Sequence, residues 1–198
     1  MSVDNCHQHQ NWLLDYLARI RAYDHVTYIH SVNVSLLSYA ISDVIGLEKK
    51  EIDQIWKGAL LHDLGKISIP PAILNKPSSP TPEEWEIIKQ HPLEGLRILT
   101  ESVPTAVREG IMHHHERWDG QGYPWGLAGE NIPLVARIIA IADTLDAVTA
   151  RRPYRQASLT YRRALKEIIC VGEGRHFDPY IVDKLKSDQF LSFLEGLK

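Results

Sequence analysis

Histidine and aspartate side chains occur in this sequence where apolar segments end or pass through a predicted core. His62 and Asp63 stand side by side directly after the apolar residues 58–61, just before a turn at Gly65. An imidazole and a carboxylate in apolar surroundings are costly unless each finds a partner. One such pair is explained most simply by a structural hydrogen bond, so its meaning depends on the other residues of these types.

The same residue types recur in other apolar segments. His30 lies on an apolar stripe, His91 precedes a proline at a predicted helix break, and residues 113–115 are consecutive histidines at a helix end. Asp143 and Asp146 stand three residues apart in the most apolar segment, which places both carboxylates on one helix face. Buried carboxylates need a cation, and imidazole and carboxylate ligands without thiolate suit iron, manganese, zinc or nickel. Together these residues predict a shared metal site.

Helices must position these side chains, because apolar residues recur with helical spacing and no strand pattern persists. Helices are predicted over residues 11–22, 24–45, 48–63, 81–99 with a break near residue 91, 104–115 and 133–150, followed by two or three more. Thr81 and Glu84 form a predicted capping box. Loops are predicted over residues 69–80, 117–131 and 151–157. The expected fold is a single compact all-α domain of about eight or nine helices around a metal site.

Length and composition limit the class of protein. With 198 residues and an apolar fraction of 44%, the chain can bury one substantial core. Cys6 and Cys170 lie far apart and outside any CxxC pair, which argues against a disulfide framework. Neither a signal peptide nor an apolar run long enough to span a membrane is visible. The sequence therefore predicts a cytoplasmic protein with no membrane partner.

The charge distribution leaves two interpretations open. A net charge of −3 argues against a general DNA-binding protein. Residues 151–166 nevertheless contain six arginine and lysine residues and no acidic residue. This cluster is either a solvated helix face or a binding surface for an anionic ligand.

An ordered set of motifs resembles the HD-GYP family, a branch of the HD phosphohydrolases. The motifs are His-Asp-Leu-Gly-Lys at residues 62–66, His-Pro at 91–92 and His-His-Glu-Arg-Trp-Asp-Gly-Gln-Gly-Tyr-Pro at 114–124. The match continues through Ala142-Asp143, Asp146-Ala147, Arg152-Pro153-Tyr154-Arg155 and Phe177-Asp178-Pro179. It covers residues 24–185, nearly the whole chain. A His-Asp pair alone is a weak signal, whereas this complete order is specific.

The resemblance implies two divalent metal ions that share the carboxylate of Asp63. The first ion would be held by His30, His62, Asp63 and Asp143. The second would be held by Asp63, His91, His114 and His115. Asp146 would orient a ligand or a bound water without binding an ion itself. The native ions would be iron or manganese, with zinc and nickel as alternatives. Some members have a glutamate at the position of Val26 that adds a third ion, and valine cannot bind one.

The resemblance also assigns catalytic and substrate-binding residues. Asp63 and Lys66 would be catalytic, with Lys66 contacting the scissile phosphate or the bridging hydroxide. Arg152, Arg155 and Tyr123 would bind the substrate together with Lys66. The alternative for Lys66 is a surface lysine whose stem lies on apolar residues.

A phosphodiesterase is the function that the resemblance implies. The enzyme would hydrolyse cyclic di-GMP to linear pGpG or to GMP, by means of a hydroxide that two metal ions activate. Two alternatives remain: hydrolysis of another cyclic dinucleotide such as 3′,3′-cyclic GMP-AMP, and a non-catalytic domain that binds a cyclic dinucleotide.

The resemblance also sets expectations for domain boundaries and partners. Residues 1–23 would be an N-terminal extension with one helix, and residues 24–198 the catalytic domain. The expected partners are the cyclic dinucleotide, signalling proteins of the second-messenger system and a second copy of the chain in a homodimer. DNA is not an expected partner.

Overall fold

The structure is a computed structural model that describes residues 11–150 and 159–196. This part of the chain forms eleven α-helices: α1 Asn11–Tyr23, α2 His25–Val44, α3 Lys49–Leu61, α4 Pro71–Leu74, α5 Pro82–Ile88, α6 His91–Ile98, α7 Thr105–His113, α8 Leu134–Thr149, α9 Tyr161–Ala164, α10 Pro179–Lys184 and α11 Asp188–Gly196. Short 3-10 segments cover Leu64–Ser68 and Gly129–Asn131, and a π-helical turn covers Leu165–Ile169. The described residues contain isolated β-bridges but no strand. The predicted all-α fold is confirmed.

The helix ends follow local signals in the sequence. The Asp24 carboxylate accepts a hydrogen bond from the Thr27 amide at 2.7 Å and so caps α2. Thr81 and Glu84 form the predicted capping box at the start of α5. The predicted break between α5 and α6 is also present, and α6 begins at His91. The four-residue helix α4 lies in a segment predicted as a loop, because a single turn is too short to show periodicity.

The core is arranged around α8, where Ile138, Ile139 and Ile141 are completely buried. One apolar cluster joins α8 to α2, α3 and the C-terminal helices, and a second joins α1 to the end of α3 and to α7. In the second cluster Tyr16 and Ile20 of α1 are buried. Thus α1 packs on the domain, while the predicted boundary at residues 23–24 stays a prediction.

Gly65 allows two segments of the predicted metal site to approach each other. A Cβ atom at this position would lie 1.9 Å from the carbonyl oxygen of His91, a distance that no side chain can adopt. The 3-10 segment that follows Asp63 therefore lies directly against α6. The sequence predicted a turn at Gly65. The structure adds that glycine, which has no side chain, is needed here for His91 to lie close to Asp63.

None of the helices in the described ranges combines the length and apolar character that crossing a bilayer requires.

Candidate metal centre

The predicted ligands converge from five separate segments of the fold. His30 comes from α2, and His62 and Asp63 directly follow the last residue of α3. The other four are His91 at the start of α6, His114 and His115 after the last residue of α7, and Asp143 within α8. His62, Asp63, His91 and His114 are almost completely buried. Residues up to 113 positions apart in the chain thus form one cluster.

The carboxylate of Asp63 lies between two groups of imidazoles. Its Oδ2 atom is 3.3 Å from His62 Nε2 and 3.6 Å from His30 Nε2. Its Oδ1 atom is 3.4 Å from His91 Nε2 and 4.0 Å from His114 Nε2. Ligand atoms of the group His30, His62 and Asp63 lie within 4.8 Å of one another, as do those of His91, His114 and His115. Each carboxylate oxygen therefore faces a different group.

Backbone carbonyl groups orient three of the imidazoles. Nδ1 of each ring lies near the carbonyl oxygen three residues earlier, at 2.7 Å for His62, 2.8 Å for His91 and 2.9 Å for His114. Because a carbonyl oxygen only accepts, each Nδ1 must carry the proton and donate it. In a neutral ring the Nε2 lone pair then points into the cluster, which is the orientation that a metal ligand requires.

His30 is oriented by carboxylates instead. Its Nδ1 lies 2.6 Å from Asp146 Oδ2, and its Nε2 lies 3.1 Å from Asp143 Oδ1. Burial by itself lowers the pKa of His30, but hydrogen bonds and charge from Asp143, Asp146 and Asp63 outweigh it and raise the pKa to about 9. This side of the cluster therefore has an excess of negative charge that attracts a positive one.

Several buried nitrogen and oxygen atoms of the cluster have no hydrogen-bond donor among the described residues. His62 Nε2 and Asp63 Oδ1 are buried without a hydrogen bond among the described residues. His91 Nε2 and His114 Nε2 lie 3.2 Å apart. Burial lowers the pKa of His91 to about 3 and that of His114 well below its ordinary value, so both rings are neutral. The one proton of each ring is on Nδ1, so neither Nε2 atom can donate to the other. Unpaired buried acceptors are costly, and a divalent cation satisfies them. The residues present therefore fit a metal.

The Asp146→Asn variant tests how His30 is oriented. We expect the affinity for a divalent ion to fall about 10- to 100-fold, because asparagine keeps the shape but loses the charge that holds His30 Nδ1. Titration of metal-free protein with Mn²⁺ measures this. Asp183→Asn on α10, whose side chain is 73% exposed, is the control and should leave the affinity unchanged. An unchanged affinity in Asp146→Asn would contradict the assigned role of Asp146.

Lys66 and Tyr123 lie beside the cluster. Lys66 Nζ is 2.6 Å from Asp63 Oδ2. The ring of Tyr123 stacks on His115 with centroids 4.7 Å apart, and its amide donates to the His115 carbonyl oxygen. Burial, together with the charges of Asp63 and Asp143, raises the pKa of Tyr123, so its hydroxyl keeps its proton.

Sequence reasoning missed the residue that holds the glycine-rich loop, residues 117–131, in place. Glu116 is buried, and its two carboxylate oxygens accept the amides of Trp125 at 2.8 Å and Leu127 at 3.0 Å. A Cβ atom on Gly122 would lie 2.4 Å from the Arg117 amide nitrogen, so the loop folds back tightly on its own start. Glu116 is part of the motif at residues 114–124, but the sequence assigned it no role.

A second missed contact anchors the loop to the rest of the domain. Arg137 on α8 pairs with Asp178 at 2.5 Å, and its guanidinium lies over the Trp118 ring at 5.8 Å. Asp178 also caps α10 by accepting the Tyr180 amide at 2.8 Å. The Phe-Asp-Pro motif therefore has a structural role in this fold.

A cavity of about 640 Å³ opens beside the cluster. His115, Asp143 and Tyr123 line it, and so do Arg175 and Trp85, whose ring contacts that of Tyr123. A cavity of this size suits a ligand larger than a single phosphate. The predicted substrate-binding residues Arg152 and Arg155 lie outside the described residues, so their part in this cavity stays a prediction.

Comparisons with known proteins point in one direction. The profile of the family described as HD domain matches residues 9–181. The chain is 40% identical over 177 residues to cyclic di-GMP phosphodiesterase PA4108 of Pseudomonas aeruginosa, a match that covers 88% of this chain and 42% of that protein. It is 36% identical to 3′3′-cGAMP-specific phosphodiesterase 2 of Vibrio cholerae, over 90% of this chain and 35% of that protein. The chain thus spans less than half the length of these relatives.

A solved structure agrees with these matches. Bd1817, an HDG"Y"P protein from Bdellovibrio bacteriovorus, superimposes with a TM-score of 0.64 at 27% identity. The superposition covers 80% of this chain and 50% of that one.

Proposed function

The chain belongs to the HD domain family, in its HD-GYP branch, and on that premise we propose that it is a metal-dependent phosphodiesterase acting on a cyclic dinucleotide. Cyclic di-GMP is the first candidate substrate, and linear pGpG or GMP the product. The observation that carries the proposal is the position of Asp63, whose two oxygens face two separate groups of inward-pointing imidazoles. Such an arrangement suits two ions that share one carboxylate.

These distances support the ligand sets that the family resemblance implies. His30, His62, Asp63 and Asp143 would hold one ion. Asp63, His91, His114 and His115 would hold the other. Iron or manganese is the proposed metal, because the ligands are nitrogen and oxygen atoms without thiolate. When bound, such ions supply Lewis acidity, which polarises a phosphate and makes a bound water more acidic.

The chain's own residues have separate proposed tasks. Lys66 places a positive charge beside Asp63, where it would offset charge that develops on the phosphate oxygens. Tyr123 forms a wall next to His115, and its protonated hydroxyl can donate a hydrogen bond to the ligand. Arg152 and Arg155 remain proposed contacts to phosphate or base. The proposal also retains a cytoplasmic location, signalling proteins as partners and a homodimer.

A second candidate substrate is 3′,3′-cyclic GMP-AMP, because a relative of 36% identity carries that specificity in its name. A non-catalytic receptor is the remaining alternative. It is disfavoured because every position of the implied ligand set is filled by a residue able to bind metal, and the structure brings them together.

A panel of substrates tests the proposal. Protein purified without oxygen and supplied with Mn²⁺ or Fe²⁺ would be incubated with cyclic di-GMP, 3′,3′-cyclic GMP-AMP and cyclic di-AMP, and the products separated by chromatography. We expect metal-dependent cleavage of one of the first two, which chelation abolishes. Binding of a cyclic dinucleotide without cleavage under any of these conditions would instead favour the receptor.

A further inference from the structure

The cavity beside the cluster extends well beyond the residues that would hold metal. Only one phosphate of a cyclic dinucleotide can lie at the ions at a time, so both nucleobases must be bound elsewhere. His115 and Asp143 of the cluster line the cavity. Trp85 on α5 and Arg175, between α9 and α10, line it too, and neither belongs to the cluster. The side chains around this outer part have no role in the proposed chemistry.

Trp85 is placed there by an aromatic contact and not by burial. Its ring meets that of Tyr123 at 78° with centroids 6.5 Å apart, and Tyr123 stacks in turn on His115. A continuous row of rings thus runs from the cluster to the edge of the cavity. Trp85 is 45% exposed, and α5 has no buried residue. An indole that served the core would be buried, so its large exposed face is available to a ligand.

The cavity that Trp85 lines also has a cationic side chain, that of Arg175. Arg175 has no ion pair among the residues that the structure describes, although its carbonyl oxygen accepts the Asp119 amide at 2.8 Å. Its backbone is therefore held while its guanidinium remains available to an anion. An aromatic face and an unpaired cation that line one cavity are the combination by which proteins bind nucleotides without reading the base in detail.

We propose that Trp85 is the stacking platform for the nucleobase that lies farther from the metal centre, and that it sets the affinity for the dinucleotide. The inference rests on the proposed function, and it adds a residue from outside the family motifs. Tyr123, which lies between Trp85 and His115, separates this platform from the cluster. Trp85 therefore acts on binding of the base and has no contact with the reacting phosphate.

The Trp85→Ala variant tests the platform. We expect KM for the cleaved cyclic dinucleotide to rise at least about fivefold with kcat retained, because base–aromatic stacking is lost. Trp85→Phe should recover most of the affinity. Cleavage of methyl p-nitrophenyl phosphate, a small diester without a nucleobase, should be the same in both variants and in the wild-type protein. Steady-state kinetics with both substrates and measured metal content provide these values.

Trp125→Ala is the matched control. Trp125 is 61% exposed and belongs to the nearby glycine-rich loop, but it does not line the cavity. Its side chain should be dispensable, since its amide makes the contact with Glu116. An unchanged KM in Trp85→Ala, or an equal rise in Trp125→Ala, would overturn the assignment of Trp85. Wild-type protein that cleaves the small diester but neither binds nor cleaves a cyclic dinucleotide would overturn the proposed function, and the platform with it.

Discussion

Replacement of Asp63 by alanine is expected to remove both of the proposed metal ions and to lower the turnover number more than about a hundredfold. Residues that only orient ligands already contribute 10- to 100-fold to metal affinity or activity, in order of magnitude. Asp63 is expected to contribute more to metal affinity, because its two oxygens face both groups of imidazoles. Its loss also leaves the buried rings of His91 and His114 with lone pairs facing each other. Metal analysis of protein purified without oxygen and kinetics with the cleaved dinucleotide measure both effects.

Asp53→Ala is the matched control for this substitution. Asp53 lies on α3, the helix that precedes Asp63, and its side chain is 51% exposed in an ion pair with Lys57. This exposed pair contributes little to stability, so metal content and activity should remain as in the wild-type protein. If Asp63→Ala retained close to the wild-type content of metal, the shared carboxylate would not be the centre of the site.

Replacement of Lys66 by methionine is expected to lower kcat about a hundredfold while metal content remains. Removal of one group that stabilises transition-state charge has effects of this order. Methionine keeps much of the apolar stem but removes the ammonium group, which lies 2.6 Å from Asp63 Oδ2. The side chain is 25% exposed, so its charge can reach a phosphate bound at the cluster as well as Asp63. Kinetics and metal analysis of the same preparation distinguish the two effects.

The two alternative roles of Lys66 give different results. Lys57→Met controls for the loss of a lysine charge and should leave kcat unchanged, because Lys57 on α3 is 22% exposed, like Lys66, but pairs with Asp53. Loss of metal from Lys66→Met would mean that the ammonium group mainly holds the Asp63 carboxylate in place. If Lys66→Met kept both kcat and metal content, Lys66 would be a surface residue without a catalytic role.

The glycine-rich loop acts as a support for the site and is attached at several points. Glu116 accepts two of its amides, and the Tyr123 amide donates to the carbonyl oxygen of His115. These contacts place the Tyr123 ring over His115 and, through it, the indole of Trp85. The loop sequence therefore affects the shape of the cavity beside the cluster, including where its side chains do not line that cavity.

Much of the fold was predictable because its signals are local. Apolar spacing predicted the long helices to within a few residues, and the side chains of Thr81 and Glu84 predicted the start of α5. The order of the motifs predicted the HD-GYP family, which the comparisons confirm. The histidines and aspartates in apolar segments predicted a shared metal site, and the family resemblance named its ligands, whose roles stay predictions.

Tertiary structure alone decided how these residues meet. The sequence does not specify which oxygen of Asp63 faces which histidine, that Gly65 must lie against His91, or that Glu116 holds the loop. Periodicity and capping depend on neighbours within one or two turns of the chain, so a single sequence records them. The distances within the cluster instead depend on how helices far apart in the chain pack around α8, and no local pattern encodes that packing.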